Sequence, residues 1–187
     1  MAAVGSAPSV SLEYSTGDGW NDFVVGETTV TLANVGDECF IRAKTTNSRF
    51  ATASYNYNKF VMSGKIAASD SIMYLLKNDG DLDTIPSSSC FLRMFIDCSS
   101  LTTAPELPAT AMKEECYRGM FGFCTSLTSA PELPATTLAN TCYNNMFYGC
   151  TSLTNPPELP ATTTSERCYC GMFEECTSLT DMPSISA

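Results

Sequence analysis

Residues 142–162, CYNNMFYGCTSLTNPPELPAT, recur along the second half of the chain. Cys90, Cys116, Cys142 and Cys168 stand 26 residues apart, and so do Cys98, Cys124, Cys150 and Cys176. The same step relates Met94, Met120, Met146 and Met172, then Phe95, Phe121, Phe147 and Phe173, then Leu101, Leu127, Leu153 and Leu179. A fixed period of this size marks stacked units, none of which can bury its apolar face alone. These columns are the expected structural core.

Within one unit, Cys116, Tyr117, Met120, Phe121 and Cys124 fall on the apolar stripe of a short helix. The following T-S-L-T and A-P-E-L-P favour an extended rung, because proline breaks helix and lacks an N–H. Each unit is therefore expected to be a one- or two-turn helix, a turn and a short strand. On such a helix Cys116 and Cys124 would lie about 12 Å apart, beyond the ~7 Å reach of a disulfide. Helices of successive units pack about 8–10 Å apart, so bridges along a column are disfavoured too. The columnar cysteines read as buried thiols; a bridge becomes feasible only if the first cysteine of each pair lies on an extended rung. Cys39 and Cys170 stand outside the ladder, and Cys170 is expected to be exposed and open to oxidation.

The motif M-F-x-x-C-[TS]-S-L-T followed by L-P, over residues 86–187, resembles the BspA-like leucine-rich repeats of bacterial surface proteins, although these units are longer. The resemblance implies a curved solenoid and a role in adhesion, and it brings no catalytic residues.

Residues 9–63 lack the period and read as β. SVSLEYS, WNDFVV, TTVTLAN, ECFIRAKTT and KFVMSG are short candidate strands between Gly/Asp turns. DSIMYLLK, residues 70–77, reads as a helix with Asp70 as N-cap, placed to cover the first repeat. The expected fold class is α+β: an antiparallel β domain over residues 1–83 capping a leucine-rich-repeat-like solenoid of four 26-residue units over 84–187. The far end of the repeats is expected to lack a comparable cap.

Net charge is −10, which argues against nucleic acid and anionic membranes as partners, and no stretch is long and apolar enough to insert into a membrane. MAAVGSAPSV has neither a basic nor an apolar signal region, so no signal peptide is expected there. The chain contains no histidine, removing His-assisted nucleophiles and His-containing zinc sites. Asp79, Asp81 and Asp83 alternate like the start of a calcium loop, but the glycine is misplaced and no glutamate follows at the twelfth position, which leaves a weak metal candidate. Glu106, Glu132 and Glu158 form one carboxylate per rung, an equal ladder and no catalytic pair. Trp20, Tyr55 and Tyr57 are read as core aromatics rather than sugar platforms. No catalytic residue and no cofactor site is expected.

Positions that change between units should face outward. Lys113, Arg118, Asn144, Asn145, Tyr148, Arg167 and Glu174 are the candidate binding surface. The expected function is a non-enzymatic recognition or adhesion module at a bacterial cell surface or outside the cell, binding a surface protein or glycan. The alternative is a virion structural protein presenting the repeats to a bacterial surface. A homo-oligomer through the β domain or the C-terminal end is compatible with either.

Overall fold

The computed structural model describes residues 1–77, 83–183 and 185. Its first half holds two small antiparallel sheets. In one, β2 (Leu12–Ser15) lies between β3 (Asn21–Phe23) and β4 (Phe40–Ala43), with Leu12 opposite both Phe23 and Ala43. Those three side chains are buried, which fixes the register because a one-residue slip would turn them to solvent. In the other, β6 (Asn56–Lys59) lies between β1 (Ala2–Val4) and β5 (Ala51–Ala53). TTVTLAN forms no strand, and of KFVMSG only Lys59 belongs to one.

The expected α+β solenoid with helices is overturned. Among the described residues the only helical segment is a 3-10 turn, Ile72–Leu75, in place of the longer helix expected from Asp70. Its N-cap is Ser71, whose side chain accepts from the Met73 N–H, whereas Asp70 takes a left-handed φ of 58°.

Residues 89–98 and their three counterparts form a coil of overlapping turns. An α-helix would send every N–H back four residues. Here half of them reach back three: Met94 donates to Phe91 at 3.2 Å and Cys98 to Phe95 at 3.1 Å. The alternate N–H groups leave the unit altogether. Phe91 donates to Cys116, Phe95 to Met120, Tyr117 to Cys142, Phe121 to Met146, Tyr143 to Cys168 and Phe147 to Met172, all at 2.9–3.0 Å. The coil repeats every four residues, with φ positive at Arg93, Asp97, Gly119, Phe123, Asn145, Gly149, Gly171 and Glu175. A four-residue coil buries positions one, two, five, six and nine, the same positions that a helical stripe would select. Apolar spacing alone therefore does not separate the two conformations.

Because every unit repeats the same trace at hydrogen-bonding distance, equal side chains stack directly. Phe50, Phe91, Tyr117, Tyr143 and Tyr169 form one column with ring centroids 5.8–6.1 Å apart. Phe60, Phe95, Phe121, Phe147 and Phe173 form a second at 5.0–5.7 Å. Such pairs add about 0.5–1.5 kcal/mol each beyond burial. All twenty columnar residues are buried except Phe173 and Leu179, which are half-buried.

The extended part of each unit pairs only in places, since its prolines carry no donor. Parallel bridges join Ala111 to Thr137, Thr137 to Thr163 and Ser129 to Asn155. Leu107, Leu133 and Leu159 of the three P-E-L-P segments point inward beside buried Ala109, Ala135 and Ala161.

The N-terminal half supplies a rung of its own. Phe50 and Phe60 head the two aromatic columns, their N–H groups bond the Cys90 and Met94 carbonyls at 2.7 and 2.8 Å, and β7 (Ile66–Ala67) pairs in parallel with β8 (Leu101–Thr103). One apolar core consequently runs from Leu12 to Cys176.

The Tyr117 hydroxyl is fully buried and lacks a hydrogen-bond partner among the described residues. Tyr117→Phe should therefore stabilise the protein by about 1 kcal/mol in urea unfolding, whereas Phe121→Ala should cost about 3–5 kcal/mol. Gly149 has φ 69°, and an added Cβ would lie 2.7 Å from the Phe123 ring, so Gly149→Ala should destabilise by more than about 1 kcal/mol. A Gly149→Ala variant as stable as the parent would contradict the left-handed turns.

Candidate functional site

The cysteines are packing groups. All ten are free thiols, and the eight columnar ones are buried. The second column also donates: Cys98 to the Phe60 carbonyl, Cys124 to Phe95, Cys150 to Phe121 and Cys176 to Phe147, at 3.0–3.3 Å. Each sulfur thus spans to the previous rung. Stacking by translation keeps neighbouring side chains parallel, so cysteines of one column do not converge to the ~3.8 Å Cβ separation of a disulfide. This reason differs from the helix spacing assumed from sequence. Burial pushes the Cys90, Cys142 and Cys150 thiols up to about 12 and Cys98 to about 11. Thiols held neutral in this way are poor nucleophiles. Cys170 is exposed and Cys39 half-buried.

The candidate surface residues divide. Asn144 is buried, and its carbonyl accepts from the Gly119 N–H, so it belongs to the stack. Arg118 is a clamp: it pairs with Glu115 and donates to the Ser54 hydroxyl at 3.1 Å, tying β5–β6 to the second unit. Lys113 and Arg167 are exposed at the coil's entry, with Arg167 beside Glu166. Asn145, Tyr148 and Glu174 lie close together at the outer edge of the coil.

That edge carries a notch of about 170 Å³. Two outward columns explain it. One reads Arg93, Gly119, Asn145, Gly171, and the next reads Ile96, Gly122, Tyr148, Glu174. Both lose their side chain in the second unit, leaving a gap between Arg93 and Ile96 above and Asn145 and Tyr148 below. Phe123, 43% exposed, closes one side and meets Tyr148 edge-on at 5.2 Å. The Arg93 guanidinium is steadied by a 2.9 Å bond to the Ser54 carbonyl and lies 5.7 Å from the Tyr57 ring. The Tyr148 hydroxyl donates to Glu175 at 2.7 Å, which raises the phenol pKa and leaves its oxygen free to accept. Arg93, Ile96 and Gly119 were missed from sequence, because their part in the notch depends on which outward columns lie side by side. The first column alternates large residues with glycine over the four units, while the second falls to glycine only at Gly122.

The other candidates stay apart from this notch. Asp79 and Asp81 lie outside the described residues, Asp83 is exposed, and among the described residues no group of three or more acidic or cysteine side chains is placed to hold a metal. Glu106, Glu132 and Glu158 are exposed along the extended face. Tyr57 is buried; Trp20 is partly exposed and carries the Arg42 guanidinium 3.6 Å over its ring, while Tyr55 is 80% exposed, against the core reading of both. Among the described residues no helix is long and apolar enough to cross a membrane.

No family model, curated protein or solved structure matches the chain.

The thiols make stability pH-dependent. Their folded pKa values lie above the ordinary value of 9, so the unfolded chain loses these protons first. Stability is then full below about pH 9 and falls as pH rises toward about 12. Cys150→Ser, which keeps a donor but does not titrate there, should fall less steeply over this window, by up to about 1.4 kcal/mol per pH unit. Urea midpoints of the two proteins at about pH 8, 9 and 10 read the onset of the difference.

Proposed function

We propose that the protein is a non-enzymatic recognition module that uses the outer edge of its turn coils to bind a protein or glycan at a cell surface. The observation that carries this reading is the division of labour within the repeat. Positions that stay constant between units are consumed by the core, while Arg93, Phe123, Asn145 and Tyr148 converge on one solvent-facing notch. Rigid, stacked backbone beneath an irregular polar and aromatic surface suits recognition, because the binding groups are held without an ordering cost on association. The resemblance of residues 86–187 to BspA-like repeats supports an adhesive role and a location outside the cell, with the strength of an analogy.

Labelled protein should bind intact bacterial or host cells or immobilised extracellular-matrix protein. The double variant Asn145→Ala/Tyr148→Ala should weaken that binding by about tenfold or more, as expected for central contacts. Glu132→Ala, on the extended face, should leave it unchanged. Equal binding by all three proteins, or none by the parent, overturns the proposal.

A further inference from the structure

The geometry of the notch points to one ligand class: we infer that it takes a single pyranose ring of a surface glycan. This inference rests on the recognition reading above and names its ligand.

Size comes first. A volume of about 170 Å³ corresponds to five or six waters at about 30 Å³ each, and it falls below the 300–1,000 Å³ of sites that enclose drug-sized ligands. One six-membered ring fits, with the rest of a glycan running over the surface. Chemistry comes next. A pyranose has an apolar C–H face and a rim of hydroxyls, each able to donate and accept. The notch answers both. Phe123 and Tyr148 meet at 73° to form an aromatic corner for the C–H face. Around it stand the Arg93 guanidinium as donor, the Asn145 amide as donor and acceptor, and the Tyr148 oxygen as acceptor, its proton being committed to Glu175.

Competing ligands fit less well. A purely apolar group would cover the Asn145 amide and the Arg93 donors not bonded to Ser54 without giving them a partner, which is costly. A phosphate would find one arginine, with Glu174 and Glu175 close by on a chain of net charge −10. A hydroxyl-rich neutral ring uses every group present.

Gly122 provides the test. Its φ is not in the left-handed region, and an added Cβ would meet the Gly119 carbonyl at 3.5 Å and Ile96 Cγ1 at 3.6 Å, which are ordinary contacts. Gly122→Leu should therefore fold normally and fill the notch. The probes are the methyl glycosides of glucose, galactose, mannose, fucose, N-acetylglucosamine and N-acetylgalactosamine, examined by saturation-transfer NMR with irradiation of the protein's aromatic protons. At least one should receive saturation and titrate with a Kd in the millimolar range, as befits a ligand of about a dozen non-hydrogen atoms. Gly122→Leu should weaken that glycoside by at least about tenfold, with an otherwise native amide spectrum. Should that spectrum be disturbed, Phe123→Ala, which removes the exposed platform, should produce the same loss. No response from any of the glycosides, or a response that survives both variants, overturns the inference. Cell-surface binding that depends on Asn145 and Tyr148 without any glycoside response overturns the pyranose alone and leaves the recognition reading standing; loss of both responses removes both.

Discussion

In the first three units every second N–H of the turn coil bonds a carbonyl of the next unit, and the rest of the repeat is built around that constraint. To aim alternate donors outward, the chain must reverse every four residues, which places one residue in four in the left-handed region. Glycine and asparagine occupy that position cheaply at Gly119, Asn145, Gly149 and Gly171. Interunit bonds also bring neighbouring traces to the spacing of paired strands rather than that of packed helices, so identical side chains must stack upon themselves. Flat rings do this well at 5–6 Å. Cysteine is small enough to repeat in a column, and its S–H gives a further bond to the Phe carbonyl of the preceding rung.

The same constraint explains the N-terminal half. Without it, the Cys90 and Met94 carbonyls and the exposed faces of Phe91 and Phe95 would lack partners, at a cost for each buried polar group. Phe50 and Phe60 come from a chain segment with no repeat, yet they satisfy both needs at once. Ile66 to Ile72 does the same for the extended rung, through bonds to Ser100, Thr103 and Glu106. The cap is therefore an imitation repeat assembled from loop ends and strand ends.

This division marks how far the sequence could be read. The period, the buried columns and the separate β character of the first half were legible because they depend on residue type at fixed spacing. The coil was not, because pairs of apolar residues four apart satisfy a helix and a four-residue turn equally. A distinguishing signal was present in Gly119, Asn145, Gly149 and Gly171: each unit after the first places a weak helix former inside the expected helix, where a helix would favour Ala, Lys or Glu. Phe50 and Phe60 were illegible for another reason, since their role depends on tertiary placement alone. At the surface, the candidate binding residues included Asn145, Tyr148 and Glu174, but not Gly119 and Gly122, which open the space beside them.

Those glycines show why a repeat protein can carry a site without weakening its stack. Three glycines lie beneath a large outward residue of the preceding unit: Arg93 covers Gly119, Phe123 covers Gly149 and Asn145 covers Gly171. An added Cβ would collide with Asn145 Oδ1 at Gly171 and crowd the Phe123 ring at Gly149, whereas the left-handed column Ser89, Glu115, Thr141 and Arg167 carries a side chain in every unit. A notch arises where two adjacent columns reach glycine in the same unit, as Gly119 and Gly122 do, and its walls are the large residues of the units on either side. Since neither glycine contributes a side chain to the core, the walls are free to change while the ladder behind them stays constant. The notch and the stack draw on different residues of the same 26-residue unit.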